Sequence, residues 1–334
     1  MNNTIKFSVN TKNSGKRLDI FLTENINDFT RSYLKKLITD KQVKINGSVN
    51  VLPSAKVKYN DQISINLIEK NIQTIAPKKI KLEIIYEDKD IMVINKPKGM
   101  VVHPGAGNYD NTLVNALLFK YKKTLSDLNG KLRPGIVHRI DKETSGLLVV
   151  AKNNFAHAHL GSQFSNHSIR RKYICLSWGV VRPLDGKIIT LIKRDQKNRK
   201  LMTVSDISGK KAITNYKTLK VFNIKDIPKI SLIECELETG RTHQIRVHMK
   251  HIGHTLFNDN RYGGDKILKG TVYTKYKQFV DNCFKLLPRQ ALHAKTLGFI
   301  HPKSNKKISF DSEIPDDMNS VINKWRLYSK HKNL

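Results

Sequence analysis

Short runs of apolar and β-branched residues follow one another after residue 82, and they limit the folds open to the chain. They cover residues 91–95, 146–151, 172–178, 212–220 and 232–237. Patterns with helical spacing are fewer and occupy residues 111–120, 155–163 and 243–252. Because the β-type runs cluster and do not alternate strictly with helices, a doubly wound parallel sheet is disfavoured. The sequence predicts an α+β domain with a mixed, largely antiparallel β-sheet flanked by helices.

The first 68 residues have a different pattern and predict a small separate domain. Spacing predicts three of its elements: helices over residues 17–22 and 30–39, and a strand over residues 62–66. Thr30 suits the N-cap of the second helix. Two further β-type stretches surround Asn46-Gly47, a dipeptide typical of a tight hairpin turn.

A linker is predicted between the two domains. Residues 69–81 have no clear period and contain Pro77, which is typical of a connecting segment. The predicted boundaries are therefore residues 1–68 for the first domain and 82–330 for the second.

The chain is strongly basic. Its 334 residues include 60 Lys plus Arg against 28 Asp plus Glu, a formal net charge of +32. A surface of this kind attracts phosphate backbones, so nucleic acid is the first expected partner and an anionic membrane the second. Lys greatly outnumbers Arg, which is also what an A/T-rich codon bias would produce without any binding role.

The sequence favours a soluble, cytoplasmic protein. No apolar run approaches the ~18 residues of a spanning helix, and the start lacks the charged and apolar regions of a signal peptide. Cys175, Cys235 and Cys283 are far apart in the chain and include no C-x-x-C pair. This spacing argues against a disulfide framework and a thiolate zinc site, and we expect all three thiols to be buried.

The most informative segment runs from Arg133 to Lys152, a polar loop that leads into a buried strand. Asp141 lies in it between Arg139 and Lys142, and neighbouring cations favour the ionised form that a nucleophilic or electrostatic aspartate requires. Taken alone, the residue is better explained as a turn aspartate that caps a helix or bonds its own backbone.

As a whole the segment resembles the H-R-L-D-x-x-T-S-G signature of the RluA family of pseudouridine synthases; residues 138–146 read H-R-I-D-K-E-T-S-G. Stretches at 95–105, 238–249 and 289–294 match the same family in the same order. The H-P-G-A-G-N stretch at 103–108 makes the RluD branch the closest likeness. Residues 16–67, beginning with R-L-D-x-F-L at Arg17, resemble an S4 RNA-binding domain.

The resemblance implies an activity and the residues that serve it. The family isomerises uridine to pseudouridine without a cofactor or metal, and its RluD branch acts on large-subunit (23S) ribosomal RNA, free or in a precursor particle. Asp141 is then the essential carboxylate, Tyr173 the tyrosine that stacks on the base, and Arg246, rather than Arg241, the partner of Asp141. The implied RNA contacts are Arg139 beside the flipped base, Arg241, and Arg31, Lys35, Lys36 and Lys44 in the S4 region; the family analogy also suggests a monomer.

Alternatives remain at several positions. A non-catalytic RNA-binding assembly factor would keep the fold without turnover, and an S4-bearing methyltransferase would need a cofactor loop that the sequence does not convincingly offer. The histidines at 243, 248, 251 and 254 lack a metal-site pattern, so packing or RNA contact is favoured over zinc. The basic stretch 193–220 fits a hairpin over RNA or a solvated loop, and 266–287 is longer than the RluD branch leads us to expect.

Overall fold

A computed structural model describes residues 3–26, 29, 31–50, 52–67, 75–105, 107–122, 124–130, 132–268, 270 and 272–331. The chain divides into two compact units, Met1–Thr74 and Ile75–Leu334. The division falls within the segment predicted as a linker, residues 69–81, of which residues 69–74 lie outside the described part. Thr30, the predicted N-cap, also lies outside it.

The first unit combines a small antiparallel sheet with two helices. Its elements are β1 (Asn3–Ser8), α1 (Leu18–Asn25), α2 (Arg31–Thr39), β2 (Val43–Ile45), β3 (Ser48–Val49) and β4 (Gln62–Leu67). The strands are ordered β1-β4-β2-β3. Asn46 and Gly47 both have positive φ, 49° and 82°, which is the backbone of a type I′ hairpin turn. The helices bury Phe21, Leu34 and their neighbours against the sheet.

The second unit contains a large mixed sheet and five described helices. Its strands are β5 (Glu83–Glu87), β6 (Ile91–Lys96), β7 (Ser145–Ala151), β8 (Arg170–Trp178), β9 (Asp185–Arg194), β10 (Met202–Ser205), β11 (Lys210–Phe222), β12 (Ile230–Leu237), β13 (Leu292–Ile300) and β14 (Lys307–Asp311). Its helices are α3 (Leu113–Tyr121), α4 (Asn154–Ser165), α5 (Gln244–His251), α6 (Thr274–Leu286) and α7 (Asp316–His331).

The order of strands confirms the predicted α+β class. The sheet runs β10-β9-β11-β12-β8-β13-β7-β6-β5, with β14 beside β13. The described pairings are antiparallel except for the short parallel contact of β13 with β7. Strand β13, from near the end of the chain, therefore lies between β7 and β8, which come from its middle.

The sheet buries several apolar cores, of which two are the largest. One core gathers Met100, Leu148, Tyr173 and other apolar residues around α3 and α5. The other contains Trp178, with α6 and α7 packed on it. Helix α6 lies within residues 266–287, the stretch that is longer than the RluD branch leads us to expect, and it packs in this second core.

The three cysteines are buried and unbridged, as expected. Cys175 and Cys235 lie on neighbouring strands with their sulfur atoms 3.9 Å apart. None of the described helices is both long and apolar enough to span a membrane.

Candidate active site

A cleft of about 300 Å³ opens in the second unit. The loop before β7, the face of β8 and the start of α5 form its walls. The five second-unit residues singled out from the sequence all line it: Arg139, Asp141, Tyr173, Arg241 and Arg246. Positions far apart in the sequence therefore meet at one site.

Asp141 begins a turn in which its own carbonyl accepts a hydrogen bond from Thr144 N at 3.1 Å. Its carboxylate faces the cleft, and Oδ2 accepts a hydrogen bond from Arg246 Nη1 at 3.0 Å. The side chain is 21% exposed. The carboxylate thus contacts a cationic side chain while remaining accessible to a ligand.

A second aspartate holds Arg246 in place. Asp259 is completely buried and accepts hydrogen bonds from Arg246 Nε at 2.7 Å and Nη2 at 2.8 Å. Burial alone would lower the pKa of the guanidinium, but the hydrogen bonds and charge of Asp259, joined by Asp141, outweigh it and raise the pKa. This fork geometry leaves Nη1 to face Asp141 and keeps the arginine charged.

Next to Asp141, His243 is held by a short chain of hydrogen bonds. Its Nδ1 lies 2.8 Å from the Tyr262 hydroxyl, which accepts a hydrogen bond from Met202 N at 3.0 Å. Burial lowers the pKa of His243, so the neutral ring is favoured. The tautomer in which Tyr262 donates to Nδ1 carries its imidazole proton on Nε2, 3.8 Å from Asp141 Oδ2. In that tautomer the ring presents a donor to the site.

Tyr173 lies on β8, where it belongs to the core and also lines the cleft. It is 8% exposed. Burial raises the pKa of its hydroxyl, and Arg171 opposes this effect while Asp141 reinforces it. The phenol is therefore neutral near pH 7.

Arg139 and Arg241 line the cleft but do not hold Asp141. Arg139 Nη1 lies 3.1 Å from His103 Nε2, and Arg241 Nε donates to the carbonyl of Lys211 at 2.9 Å. Burial, assisted by Arg139, lowers the pKa of His103 to about 4. A neutral His103 can accept the hydrogen bond from Arg139.

The motif near the end of the chain fastens the loop that carries Asp141. Arg289 is held by Asp317 and donates through Nη1 to the carbonyl of Glu143 at 2.9 Å. His293 Nδ1 lies 2.9 Å from the Ser145 hydroxyl. The T-S-G part of the signature thus meets β13, and a Cβ on Gly146 would lie 2.2 Å from the Ala294 carbonyl oxygen.

From the other side Lys96 secures the same loop. Although fully buried, its ammonium donates to the carbonyls of Pro97, Met100 and Lys142 at 2.8, 2.9 and 3.2 Å. These acceptors account for all three ammonium protons. The lysine of the N-K-P stretch therefore organises the backbone behind Asp141.

Histidine clusters in this unit are hydrogen bonded within the chain. Both ring nitrogens of His248 lie 2.9 Å from threonine hydroxyls. In the described part of the chain, Asp88, Asp90 and His301 are close enough to share a metal ion. However, His301 Nε2 lies 2.6 Å from Asp88 and its Nδ1 accepts two backbone N–H groups, which leaves it no free lone pair for a metal.

The first unit concentrates cations around a buried carboxylate. Asp19 is completely buried and pairs with Arg17, Arg31 and Lys35 at 3.0, 2.9 and 3.3 Å. Burial would raise the pKa of Asp19, but hydrogen bonds from these cations outweigh it and lower the pKa to about 2. Lys36 and Lys44 are exposed.

Asp259 and Tyr262 were not assigned roles from the sequence, and His243 was expected only in packing or RNA contact. Asp259 and Tyr262 lie in the polar, glycine-ended stretch 258–264, which has the composition of a turn. Only the folded chain shows that this turn lies behind Arg246. His243 stood in a recognised motif, but its role depends on a tyrosine that is 19 residues away.

Comparison with known proteins is consistent with this site. Residues 90–251 match the family described as RNA pseudouridylate synthase. "Uncharacterized RNA pseudouridine synthase YlyB" of Bacillus subtilis (strain 168) is 40% identical over 324 residues, covering 97% of this chain and 99% of that protein. "Ribosomal large subunit pseudouridine synthase D" of Zymomonas mobilis is 46% identical over 306 residues, 91% and 92% of the two chains.

A solved structure shares the fold. "Human RNA Pseudouridylate Synthase Domain Containing 4" aligns with a TM-score of 0.53 and 22% identity, covering 73% of this chain and 93% of that chain. The two bacterial relatives show which family the chain belongs to, because the sequence identity extends over nearly the full length of both aligned chains. The chain belongs to the RNA pseudouridine synthase family, whose members are isomerases.

Proposed function

We propose that this protein converts specific uridines of large-subunit (23S) ribosomal RNA to pseudouridine, with Asp141 as its essential carboxylate and without a cofactor. The observation that carries the proposal is the accessible carboxylate of Asp141, bonded to Arg246 at 3.0 Å in a cleft lined by Tyr173. Several relatives at 40–46% identity bear the name "Ribosomal large subunit pseudouridine synthase D". These names support the ribosomal target and the RluD branch.

The isomerisation of uridine needs only groups such as the carboxylate, arginine and tyrosine of this cleft. The uridine N1–C1′ bond breaks, the uracil turns, C5 bonds to C1′, the C5 proton leaves, and N1 takes up a proton. Product and substrate have the same atoms, so no oxidant or co-substrate enters the balance. We assign Asp141 to the reacting centre, Tyr173 to the face of the base, and Arg246 to holding the carboxylate in one orientation.

A uridine in a structured hairpin must leave its stack before C1′ can be reached. Arg139 is exposed beside the cleft and has no carboxylate partner among the described residues. We assign it to the space vacated by the flipped base. Arg241, which lines the same cleft, is assigned to the RNA strand.

The proposed domains are an S4 RNA-binding domain of residues 1–68, a linker of 69–81 and a catalytic domain of 82–330. Arg31 and Lys35 are held by Asp19 yet remain nearly half exposed, so they can also contact phosphate. Lys36 and Lys44 are exposed on the same unit. We further propose a monomer in the cytoplasm, where bacterial ribosomal RNA is found.

Tritium release tests the activity directly. Large-subunit ribosomal RNA labelled with tritium at uridine C5 must lose that label when C5 bonds to C1′. We expect release by the wild type and by Asp281→Asn, an exposed aspartate on α6 that serves as control. Asp141→Asn should release none while binding the RNA nearly as well, and an active Asp141→Asn would refute the role of this carboxylate.

The substrate form is tested by the same assay. If free RNA releases no tritium, large-subunit precursor particles replace it. Tight binding of both forms without release from either would favour the non-catalytic assembly factor.

A further inference from the structure

A buried arginine in the cleft has no counter-ion among the described residues. Arg171 on β8 is only 7% exposed and lines the cleft. Its Nη2 donates to the Glu238 carbonyl at 3.3 Å, and its guanidinium lies 5.5 Å from the centre of the Phe164 ring. Its buried Nε has no hydrogen-bond partner among the described residues. A buried charge left in this state is costly unless a ligand completes its contacts.

A neighbouring glycine makes room for this guanidinium. A Cβ on Gly240 would lie 2.6 Å from Arg171 Nη1, closer than two such atoms can approach. Gly240 also lines the cleft and precedes Arg241 in the E-T-G-R stretch. The absence of a side chain at residue 240 therefore lets Arg171 lie at the cleft wall.

A second guanidinium reinforces the positive charge. Burial lowers the pKa of Arg171; Tyr173 opposes this effect and Arg241 adds to it. In the part of the chain that the structure describes, Arg171 and Arg241 form no ion pair, whereas Arg246 has both Asp141 and Asp259. Two uncompensated guanidinium groups at one wall are an electrostatic site for an anion.

We propose that Arg171 and Arg241 form a phosphate-binding subsite for a phosphodiester next to the target uridine. This inference rests on the proposed function, because the anion is taken to be part of the RNA strand. Arginine is suited to the task, since its planar fork bonds two phosphate oxygens at once. The contact would fix the backbone beside the flipped nucleotide and so place its C1′ near Asp141.

The test is a coupling measurement between protein and RNA. The tightest-binding fragment of large-subunit ribosomal RNA is synthesised with single neutral methylphosphonates, one at a time, on either side of the target uridine. Dissociation constants are measured for the wild type, Arg171→Gln and the control Arg170→Gln. Arg170 is the adjacent, half-exposed arginine of the same strand, and it contacts Glu236.

For the wild type, we expect one methylphosphonate to weaken binding by about 10- to 100-fold, the range for a lost charge-assisted hydrogen bond. On Arg171→Gln the same methylphosphonate should weaken binding much less, because only the Arg241 contact remains to be lost. Arg170→Gln should respond like the wild type. Arg171→Gln should also reduce the slope of log affinity against log salt by about 0.7–0.9.

Equal responses of the wild type and Arg171→Gln to every methylphosphonate would overturn the subsite. If Arg171→Gln does not fold, Gly240→Ala replaces it, since the new Cβ displaces the guanidinium while the charge is kept. Gly240→Ala must then be less sensitive than the wild type to the same methylphosphonate, and full sensitivity would overturn the proposal. Tritium release is measured on the same RNAs. Its absence in the wild type counts against the proposed function, whereas the dissociation constants test the phosphate subsite independently.

Discussion

Asp259→Asn is the substitution that best tests how the site is held together. The change keeps the size of the side chain but removes a completely buried charge that Arg246 bonds at 2.7 and 2.8 Å. The amide can accept from only one of the two guanidinium nitrogens, because its own N–H₂ group faces the other. Arg246 is then balanced by Asp141 alone.

The expected loss of stability follows from this geometry. Removing one partner of a buried ion pair lowers the free energy of unfolding by about 3–5 kcal/mol. For a unit of this size each kcal/mol lowers the melting temperature by roughly 2–4 °C. The second unit should therefore melt roughly 6–20 °C lower than in the wild type.

Activity should fall for a separate reason. Asp259 is not among the residues that line the cleft, so KM should change little. The value of kcat should fall by about 100-fold, which is typical of a catalytic group displaced by about 1 Å. Tritium release is measured well below the lowered melting temperature, with Asp281→Asn as the isosteric control. A folded Asp259→Asn with the kcat of the wild type would refute the argument that Asp259 positions Arg246.

Three further predictions concern other parts of the molecule. Lys36→Ala combined with Lys44→Ala should reduce the slope of log affinity for RNA against log salt by about 1.4–1.8. Stability should not fall, because neither lysine is part of the Asp19 cluster. An unchanged slope would mean that both lysines are simply solvated. Since the folded pKa of Asp19 is about 2, below its ordinary 3.8, its stabilising effect is present above pH 3.8 and lost as the pH falls towards 2. Hydrogen exchange in the first unit should show this acid-induced loss in the wild type but not in Asp19→Asn. His243→Gln retains a side-chain donor and should keep a higher kcat than His243→Leu, and equal values would exclude a role for the donor.

Local pattern predicted the elements that have regular spacing. The apolar run 146–151 became β7, buried along its whole length, and Asn46-Gly47 became the expected turn. Strand β13 was missed because polar residues, among them His293 and Lys295, interrupt its apolar pattern. They find partners only in the folded sheet.

Helix α7 was missed although its spacing was available in the sequence. Its buried residues, Met318, Val321, Ile322 and Trp325, recur at three and four positions, as on one face of a helix. The predicted pairing of Asp141 with Arg246 came from family resemblance, since 105 residues separate the two. Asp259 and Arg171 could not be assigned in this way. The role of each depends on its burial and on whether a residue of opposite charge lies beside it in the folded chain.

The position of β13 has a consequence for how the protein is made. Asp141 precedes β7 and Tyr173 lies on β8, and the strand between these two begins only at residue 292. During synthesis the nascent chain can form hairpins from β8 to β12, but β7 and β8 cannot be joined in the sheet until residues 292–300 have left the ribosome. Such distant pairing is slow to form. A nascent chain that ends before residue 292 therefore lacks the strand that lies between β7 and β8, and it cannot assemble the cleft.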